Sequence, residues 1–347
     1  MNVDLKILEN IPLAPLTTLG VGGAARYFVK ANTEAEVESA IGFATANSLP
    51  LFVLGGGSNV LIADTGFKGL VLQIGIKGRR EIDTEDSGMV CVEAAAGEDW
   101  DETVAWCVER DLAGIECLSG IPGLVGGTPV QNVGAYGQEV SETIREVRCF
   151  DRRAHSFVTL SNADCEFSYR KSIFNSTDRD RYVVLGVVFE LKRSGEPQIV
   201  YRDLVEYFAG TSPSIADTRE AVLSIRRAKS MVIDADDPNC KSAGSFFKNP
   251  TIEKARFDNL AIDFPGIPNF DAGDLVKIPA AWLIENAGFT KGYSLGNAGI
   301  SSRHTLALIN RGGASAGEIL VLKEKIRDAV AKKFGIDLIP EPVFVGF

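Results

Sequence analysis

The chain predicts an α+β fold spread over two or three domains, and three features carry that prediction. Capped stretches of helical period alternate with short apolar runs bounded by glycine and proline. At 347 residues the chain is roughly twice an average domain, long enough for more than one full hydrophobic core. A Gly-Thr-Ser-Pro stretch at 210–213 also reads as a boundary between two such patterned regions.

The first helix is expected over 33–47, because Thr33 and Glu36 form a capping box and Val37, Ala40, Ile41 and Ala44 fall on one face. Leu49-Pro50 ends it. A short buried strand at 51–54 runs into Gly55, Gly56, Gly57, Ser58 and Asn59 and resumes at Val60, Leu61 and Ile62. No helix follows these glycines, so no helix dipole is on offer. Either backbone N–H groups form an anion nest there or the glycines make a plain tight turn.

Strands at 70–76 and 89–95 come next, then a helix at 99–110 with Trp100, Val104, Cys107 and Val108 inward. The segment 117–137 is rich in glycine, yet the apolar and aromatic residues between the glycines argue for order. Ordered glycine at that density means that backbone comes close to something flat or bulky: a large planar cofactor or neighbouring backbone.

Beyond the boundary, a helix at 217–229 turns Val222 and Ile225 inward and sets Arg226 and Lys229 on one face, with Arg227 elsewhere. Pro279 opens a short helix through Trp282 and Ile284 that stops at Gly288. The last helix starts at the capping box of Ser315 and Glu318, buries Ile319, Leu322, Ile326 and Val330, and ends at Phe334-Gly335. A final strand is expected over 337–345, where Glu341, between two prolines, faces solvent or is deliberately buried.

Composition narrows the function. With 46 acidic against 36 basic residues the net charge is -10, which repels a phosphate backbone, so nucleic acid is not expected as a partner. The six cysteines contain no Cys-x-x-Cys pair and the first twenty residues lack a signal-peptide pattern, so reduced, buried thiols in a cytoplasmic protein are expected. His155 and His304 are the only histidines, which argues against a zinc site, and no apolar run approaches the roughly 20 residues of a membrane span.

The richest segment chemically is Ala243-Gly244-Ser245-Phe246-Phe247-Lys248-Asn249-Pro250. It sets a hydroxyl, an ammonium and an amide around two phenylalanines, as a water-excluding site that offers a proton would; a strand entering the core would also explain the phenylalanines.

Five motifs in order closely resemble the UDP-N-acetylenolpyruvoylglucosamine reductase family: the glycine run at 55–59, the segment from Ser119-Gly120-Ile121-Pro122-Gly123 to Tyr136-Gly137, Tyr169-Arg170, the Gly244 to Pro250 run, and Pro340-Glu341. The resemblance implies an FAD-binding domain of the vanillyl-alcohol oxidase type over 1–212, with α+β subdomains of about 1–73 and 74–212. A smaller α+β substrate-binding domain at 213–335 and a closing strand at 336–347 would follow.

The implied reaction is reduction of UDP-N-acetylglucosamine enolpyruvate to UDP-N-acetylmuramate, with NADPH as hydride donor and the chain acting as a monomer. FAD is expected to be noncovalent, since no histidine lies in the glycine-rich segments. Its pyrophosphate is expected on Gly55, Gly56, Gly57, Ser58 and Asn59. Its ring system is expected near Ser119, Pro122, Gly123, Gly127, Thr128, Gln131, Asn132, Gly134 and Ala135.

By the same resemblance, Arg170 is the guanidinium at the substrate carboxylate, Ser245 the proton donor and Glu341 the acid beside the resulting enolate. A planar guanidinium fork suits a carboxylate better than an ammonium does. Tyr201 matches a tyrosine on a loop that closes over the nucleotide, and Arg226 and Lys229 a basic pair near the diphosphate. Lys248 and Asn249 would line the pocket, and His304 is either a substrate contact or structural. The competing reading is a flavin-dependent alcohol oxidase of the same superfamily, which would need neither Ser245 nor the pairing of Arg170 with Glu341.

Overall fold

The computed structural model describes residues 5–347, which fall into two compact units. The first takes in the chain up to Ile11, Ala25–Gly56 and Lys68–Val232; the second takes Pro12–Ala24, Gly57–Phe67 and Ile233–Phe347. These units do not follow the cut expected at 212. The helix after the boundary packs with the first unit, and two early segments join the second.

In the first unit, a four-stranded sheet runs in the order Leu8–Pro12, Ala24–Ala31, Phe67–Ile74, Leu51–Leu54. Helix α1, Glu34–Ala46, starts where expected, with the Thr33 hydroxyl accepting the N–H of Glu36 at 3.2 Å. The Glu36 carboxylate reaches back one residue further than a capping box requires, to the N–H of Asn32 at 2.6 Å.

A second sheet is ordered Ser156–Ser161, Ile144–Asp151, Tyr182–Arg193, Met89–Ala95, Arg79–Asp83, with Leu112–Ala113 also pairing with Tyr182–Arg193. Helix α2, Trp100–Val108, capped by Asp99, buries Trp100, Val104 and Cys107 as its period demands. Trp100 and the strand residue Phe189 pack at 5.6 Å between ring centroids in one core with α1 and both sheets.

Helix α3 is Arg202–Phe208, and α4 is Ile215–Ala228, two residues earlier than expected because Ser214 and Asp217 form its capping box. Lys229 is the C-cap of α4. Cys91, Cys107, Cys117, Cys149 and Cys165 are buried free thiols and Cys240 is half-buried.

The second unit has its own apolar core, in which Leu19, Val21 and Leu61 from the early segments join Phe246, Phe247 and the inner face of α7, Ala316–Phe334. Two shorter helices precede α7: α5 at Lys254–Asp263 and α6 at Ala280–Asn286, the latter entered from Pro279. The capping box of Ser315 and Glu318 opens α7, and Gly335 closes it in the left-handed conformation. One sheet runs Ser242–Ser245, Ala307–Asn310, Ala298–Ile300, Ser294–Leu295; another runs Thr251–Glu253, Leu275–Lys277, Phe270–Ala272.

The long final strand is not formed. Only Val343–Val345 is regular, pairing in parallel with Val60–Ile62, and before it Pro340 makes a single bridge with Phe247. Pro340 and Pro342 have no N–H to donate, so a continuous ladder through Glu341 is ruled out.

Candidate active site

In the first unit the glycine-rich segments meet backbone to backbone. A Cβ on Gly56 would lie 2.7 Å from the Cα of Gly123, and one on Gly126 would lie 2.6 Å from the Cβ of Ala96. Positions Gly55 and Gly127 have nothing within 4 Å of where a Cβ would sit. Gly56 and Gly126 are thus required by close backbone approach, whereas Gly55 and Gly127 border open space. Leu54 lies opposite Gln73 on parallel strands, so the loop from Gly55 and the segment from Ile76 leave the same strand ends. A cleft of about 300 Å³ beside Ile76 is lined by both signs of charge, Arg79, Arg80 and Arg148 with Glu34 and Glu93, and does not include the glycine loop. Carboxyl ends of parallel strands are where ligands bind in such sheets.

The side chains expected to touch the flavin are partly held by the protein itself. Ser119 is fully buried and its hydroxyl donates to the Glu116 carbonyl at 2.6 Å; the Thr128 hydroxyl donates to the Val125 carbonyl at 2.8 Å. Asn132, also fully buried, donates its amide to Glu139 at 2.7 Å and to the Ser168 carbonyl at 3.2 Å. These three shape the segment, while Pro122, Gly123, Gln131, Gly134 and Ala135 are half-buried along it.

Arg170 sits in left-handed backbone at φ 55° and donates from Nη2 to the carbonyl of Gly134 at 2.8 Å, which ties the guanidinium to the hairpin of Gly134–Ala135 and Gln138–Glu139. At the turn of that hairpin, Tyr136 packs edge-to-face on Tyr201 at 5.3 Å, with the Lys229 ammonium 6.0 Å from its ring centre.

Arg226 is 7% exposed, donates from Nη2 to the Met231 carbonyl at 2.7 Å, and has at Nε no hydrogen-bond partner among the described residues. A buried N–H without an acceptor is costly, and an oxygen of a bound anion would relieve it. Burial lowers the pKa of Arg226, opposed by the Tyr136 phenol and Asp101. Burial likewise disfavours the charge on Lys229, but the Asp203 carboxylate 2.5 Å away outweighs it and raises the ammonium above its ordinary range. Tyr201, Arg226 and Lys229 are therefore gathered with Tyr136 and Asp203 in one cluster. The sequence reading did not single out the last two, because no motif marks a tyrosine at a tight turn or an aspartate early in a short helix.

In the second unit, Ser245 lies opposite Ala307 just after an irregularity in the pairing of Ser242–Ser245, where Gly244 takes φ 72°. Such a bulge re-aims the next side chain, and the Ser245 hydroxyl lies 3.3 Å from Nε2 of His304. His304 thus stands next to the expected proton donor, a neighbour that the sequence could not reveal across 59 residues.

Phe246 and Phe247 are 0% and 1% exposed, so the segment enters the core, with Ser245, Lys248 and Asn249 flanking the two rings. The N–H of Glu341 donates to the Phe246 carbonyl at 2.9 Å and that of Lys248 to the Ile339 carbonyl at 3.0 Å. The Glu341 carbonyl accepts from the Asn59 amide at 3.4 Å, and the Val343 N–H donates to the Asn59 carbonyl at 2.9 Å. Ser245, Glu341 and Asn59 therefore share one backbone framework, with Glu341 half-buried. The Asn249 side-chain oxygen caps α6 through the N–H of Ala280 at 2.9 Å.

Among the described residues there is no cluster that could hold a metal ion, and no helix is long and apolar enough to cross a membrane.

Comparison with known proteins identifies the family. The model of an FAD binding domain matches residues 25–158, and that of the UDP-N-acetylenolpyruvoylglucosamine reductase C-terminal domain matches residues 236–345. The UDP-N-acetylenolpyruvoylglucosamine reductase of Thermobifida fusca is 48% identical over 97% of this chain and 98% of its own length. That of Streptomyces coelicolor is 46% identical over 98% and 90%. The crystal structure of UDP-N-acetylenolpyruvylglucosamine reductase from Thermus caldophilus is similar with a TM-score of 0.67 at 26% identity, over 98% of each chain. A flavin-binding region followed by this C-terminal domain, and identity approaching one half along nearly the whole length, place the chain in the UDP-N-acetylenolpyruvoylglucosamine reductase family.

Proposed function

We propose that this chain reduces UDP-N-acetylglucosamine enolpyruvate to UDP-N-acetylmuramate with NADPH through noncovalent FAD, supplying a peptidoglycan precursor as a cytoplasmic monomer. Family membership supports the reaction. The observation that carries the residue roles is the backbone bond from Glu341 to Phe246, which sets Glu341 next to the strand that ends in Ser245.

When bound, FAD takes hydride from NADPH and returns it to the terminal methylene carbon of the enol ether. The backbone at Gly55 to Asn59 would hold its pyrophosphate and the segment from Ser119 to Ala135 its ring system, where Gly56 and Gly123 meet too closely for side chains. Arg170 binds the substrate carboxylate, already oriented by its bond to Gly134. As charge moves into that carboxylate, the Arg170 guanidinium and Glu341, in its carboxylic acid form and donating its proton in a hydrogen bond, stabilise the enolate, a task for groups placed in advance. Ser245 then delivers a proton to the carbon adjacent to the carboxylate. A hydroxyl is a weak acid, so it acts only against a strongly basic carbanion, and His304 at 3.3 Å orients it. Arg226, Lys229 and Tyr201 hold the diphosphate of each nucleotide in turn. Lys229 must first exchange its Asp203 partner for phosphate oxygens.

The test is isotopic. With deuterated NADPH in ordinary water, deuterium is expected in the new methyl group of the product; with ordinary NADPH in heavy water, it is expected on the adjacent carbon. An NADPH-reduced enzyme that oxygen reoxidises but the enolpyruvyl substrate does not would instead favour the alcohol oxidase.

A further inference from the structure

Glu116 is a carboxylate only 1% exposed, and it is met by dipoles. Its Oε2 accepts the N–H of Gly114 at 2.7 Å, and its Oε1 accepts the side-chain amide of Gln138 at 2.7 Å and, more distantly at 3.4 Å, the N–H of Gln198. Gln138, 2% exposed, completes the ring by accepting the N–H of Cys117 at 2.8 Å. Burying a charge costs several kcal/mol even when it is hydrogen-bonded, and a well-packed apolar pair often serves stability as well. Stability therefore does not account for the charge at this position.

What the pair joins suggests another role. Glu116 opens the turn whose carbonyl takes the Ser119 hydroxyl at 2.6 Å, at the head of the flavin segment. Gln138 lies opposite Ala135 in the hairpin, one residue along from the Gly134 carbonyl that anchors Arg170. The Cys117 thiol, raised well above its ordinary range by burial and by the Glu116 charge, donates to the Gln198 carbonyl at 3.6 Å, three residues before Tyr201.

We propose that Glu116, acting through Gln138, is a positioning residue that holds the turn at Ser119, at the head of the flavin segment, in register with the hairpin whose Gly134 carbonyl anchors the Arg170 guanidinium. The inference rests on the function proposed above. Its consequence is asymmetric. Transfer to the enolpyruvyl group needs the flavin and Arg170 aligned together, whereas NADPH brings no enolpyruvyl carboxylate for Arg170 to bind.

The geometry supplies a rescue. In Glu116→Gln, an amide that keeps its oxygen on Gly114 turns its NH2 toward that of Gln138, donor against donor. In Gln138→Glu, two carboxylates face each other. The double exchange restores the order, since the amide at 116 again donates and the carboxylate at 138 accepts from it and from Cys117.

Both singles and the double would be studied as FAD-loaded enzymes in anaerobic stopped flow. Each single is expected to slow reoxidation by the enolpyruvyl substrate by up to about 10²-fold, the cost of roughly 1 Å of misplacement. Flavin reduction by NADPH should stay near wild type, and the double should recover most of the loss.

Equal losses in both half-reactions, unchanged singles, or a double as slow as the singles combined would overturn the positioning role. Should Gln138→Glu fail to fold, Glu116→Gln, which keeps the volume, decides alone by the ratio of its half-reactions. A wild-type enzyme that is not reoxidised by the substrate would overturn the proposed function first, which separates the two failures.

Discussion

The two units hold their site residues by different physical means. In the second, Ser245 and Glu341 are placed by main-chain bonds over an apolar floor: Phe246 and Phe247 are buried, and the Glu341 N–H reaches the Phe246 carbonyl. In the first, the segment from Glu116 to Glu139 is held by side-chain hydrogen bonds of Glu116, Gln138, Asn132 and Asp101, and the guanidinium groups of Arg170 and Arg226 are tied to the carbonyls of Gly134 and Met231. An apolar floor tolerates changes in the polar groups above it but not loss of its own volume. A polar network reverses that sensitivity, because removing one member strands its partners.

The sharpest way to break this contrast is Ser245→Ala. If the second unit holds its hydroxyl on an independent frame, the variant should fold, bind FAD and be reduced by NADPH normally, while reoxidation by substrate falls by about 10² to 10⁴-fold, the range for a positioned acid. Stopped flow separates the half-reactions, and equal losses in both would mean that the frame itself had been disturbed.

Phe246→Ala tests the floor. Removing a fully buried ring from a core should cost about 3 to 5 kcal/mol in chemical denaturation. A loss under about 1 kcal/mol, ordinary for a surface change, would show that the backbone framework and not the ring carries the second unit.

The smallest effect concerns the first unit and pH. Burial pushes the Asp101 carboxyl up, but bonds from Arg219 at 2.6 Å and from the Gly120 N–H at 2.6 Å prevail and hold it below its ordinary value. A carboxyl depressed on folding stabilises above its unfolded pKa, near 4, and the contribution disappears as pH falls through the folded value. In Arg219→Met burial would dominate, so the acid unfolding midpoint should move to higher pH. An unmoved midpoint would show that this pair does not take part in holding the Gly120 turn.

Much of this was legible before the fold was known, wherever the signal is local. The caps at Thr33 and Ser315, the inward faces of α1 and α7, that of α2 apart from the half-buried Val108, and the strand, glycine turn, strand reading at 51–62 depend on side chains within a few residues of one another. The shared face of Arg226 and Lys229 likewise follows from helical spacing. The family motifs named Arg170, Ser245 and Glu341 because their neighbours are contiguous in the chain.

The sequence misplaced what depends on distant partners. Val60–Ile62 finds its strand at Val343–Val345, and Thr18 donates its hydroxyl to the Ser242 carbonyl at 2.6 Å, so two early segments belong to the second unit. The final strand was overextended because a β-prone composition outweighed the missing N–H groups of Pro340 and Pro342.

By itself, then, the sequence determined helices α1, α2, α4, α6 and α7 and the glycine runs, since each is written in short-range pattern, and its motifs nominated Arg170, Ser245 and Glu341. Only the tertiary structure decided that His304 stands beside Ser245, that Asp203 holds Lys229 and that Glu116 clamps Gln138. Those contacts join residues 22 to 59 positions apart, and pattern within a helix or strand carries no information about which distant dipole will meet a buried charge.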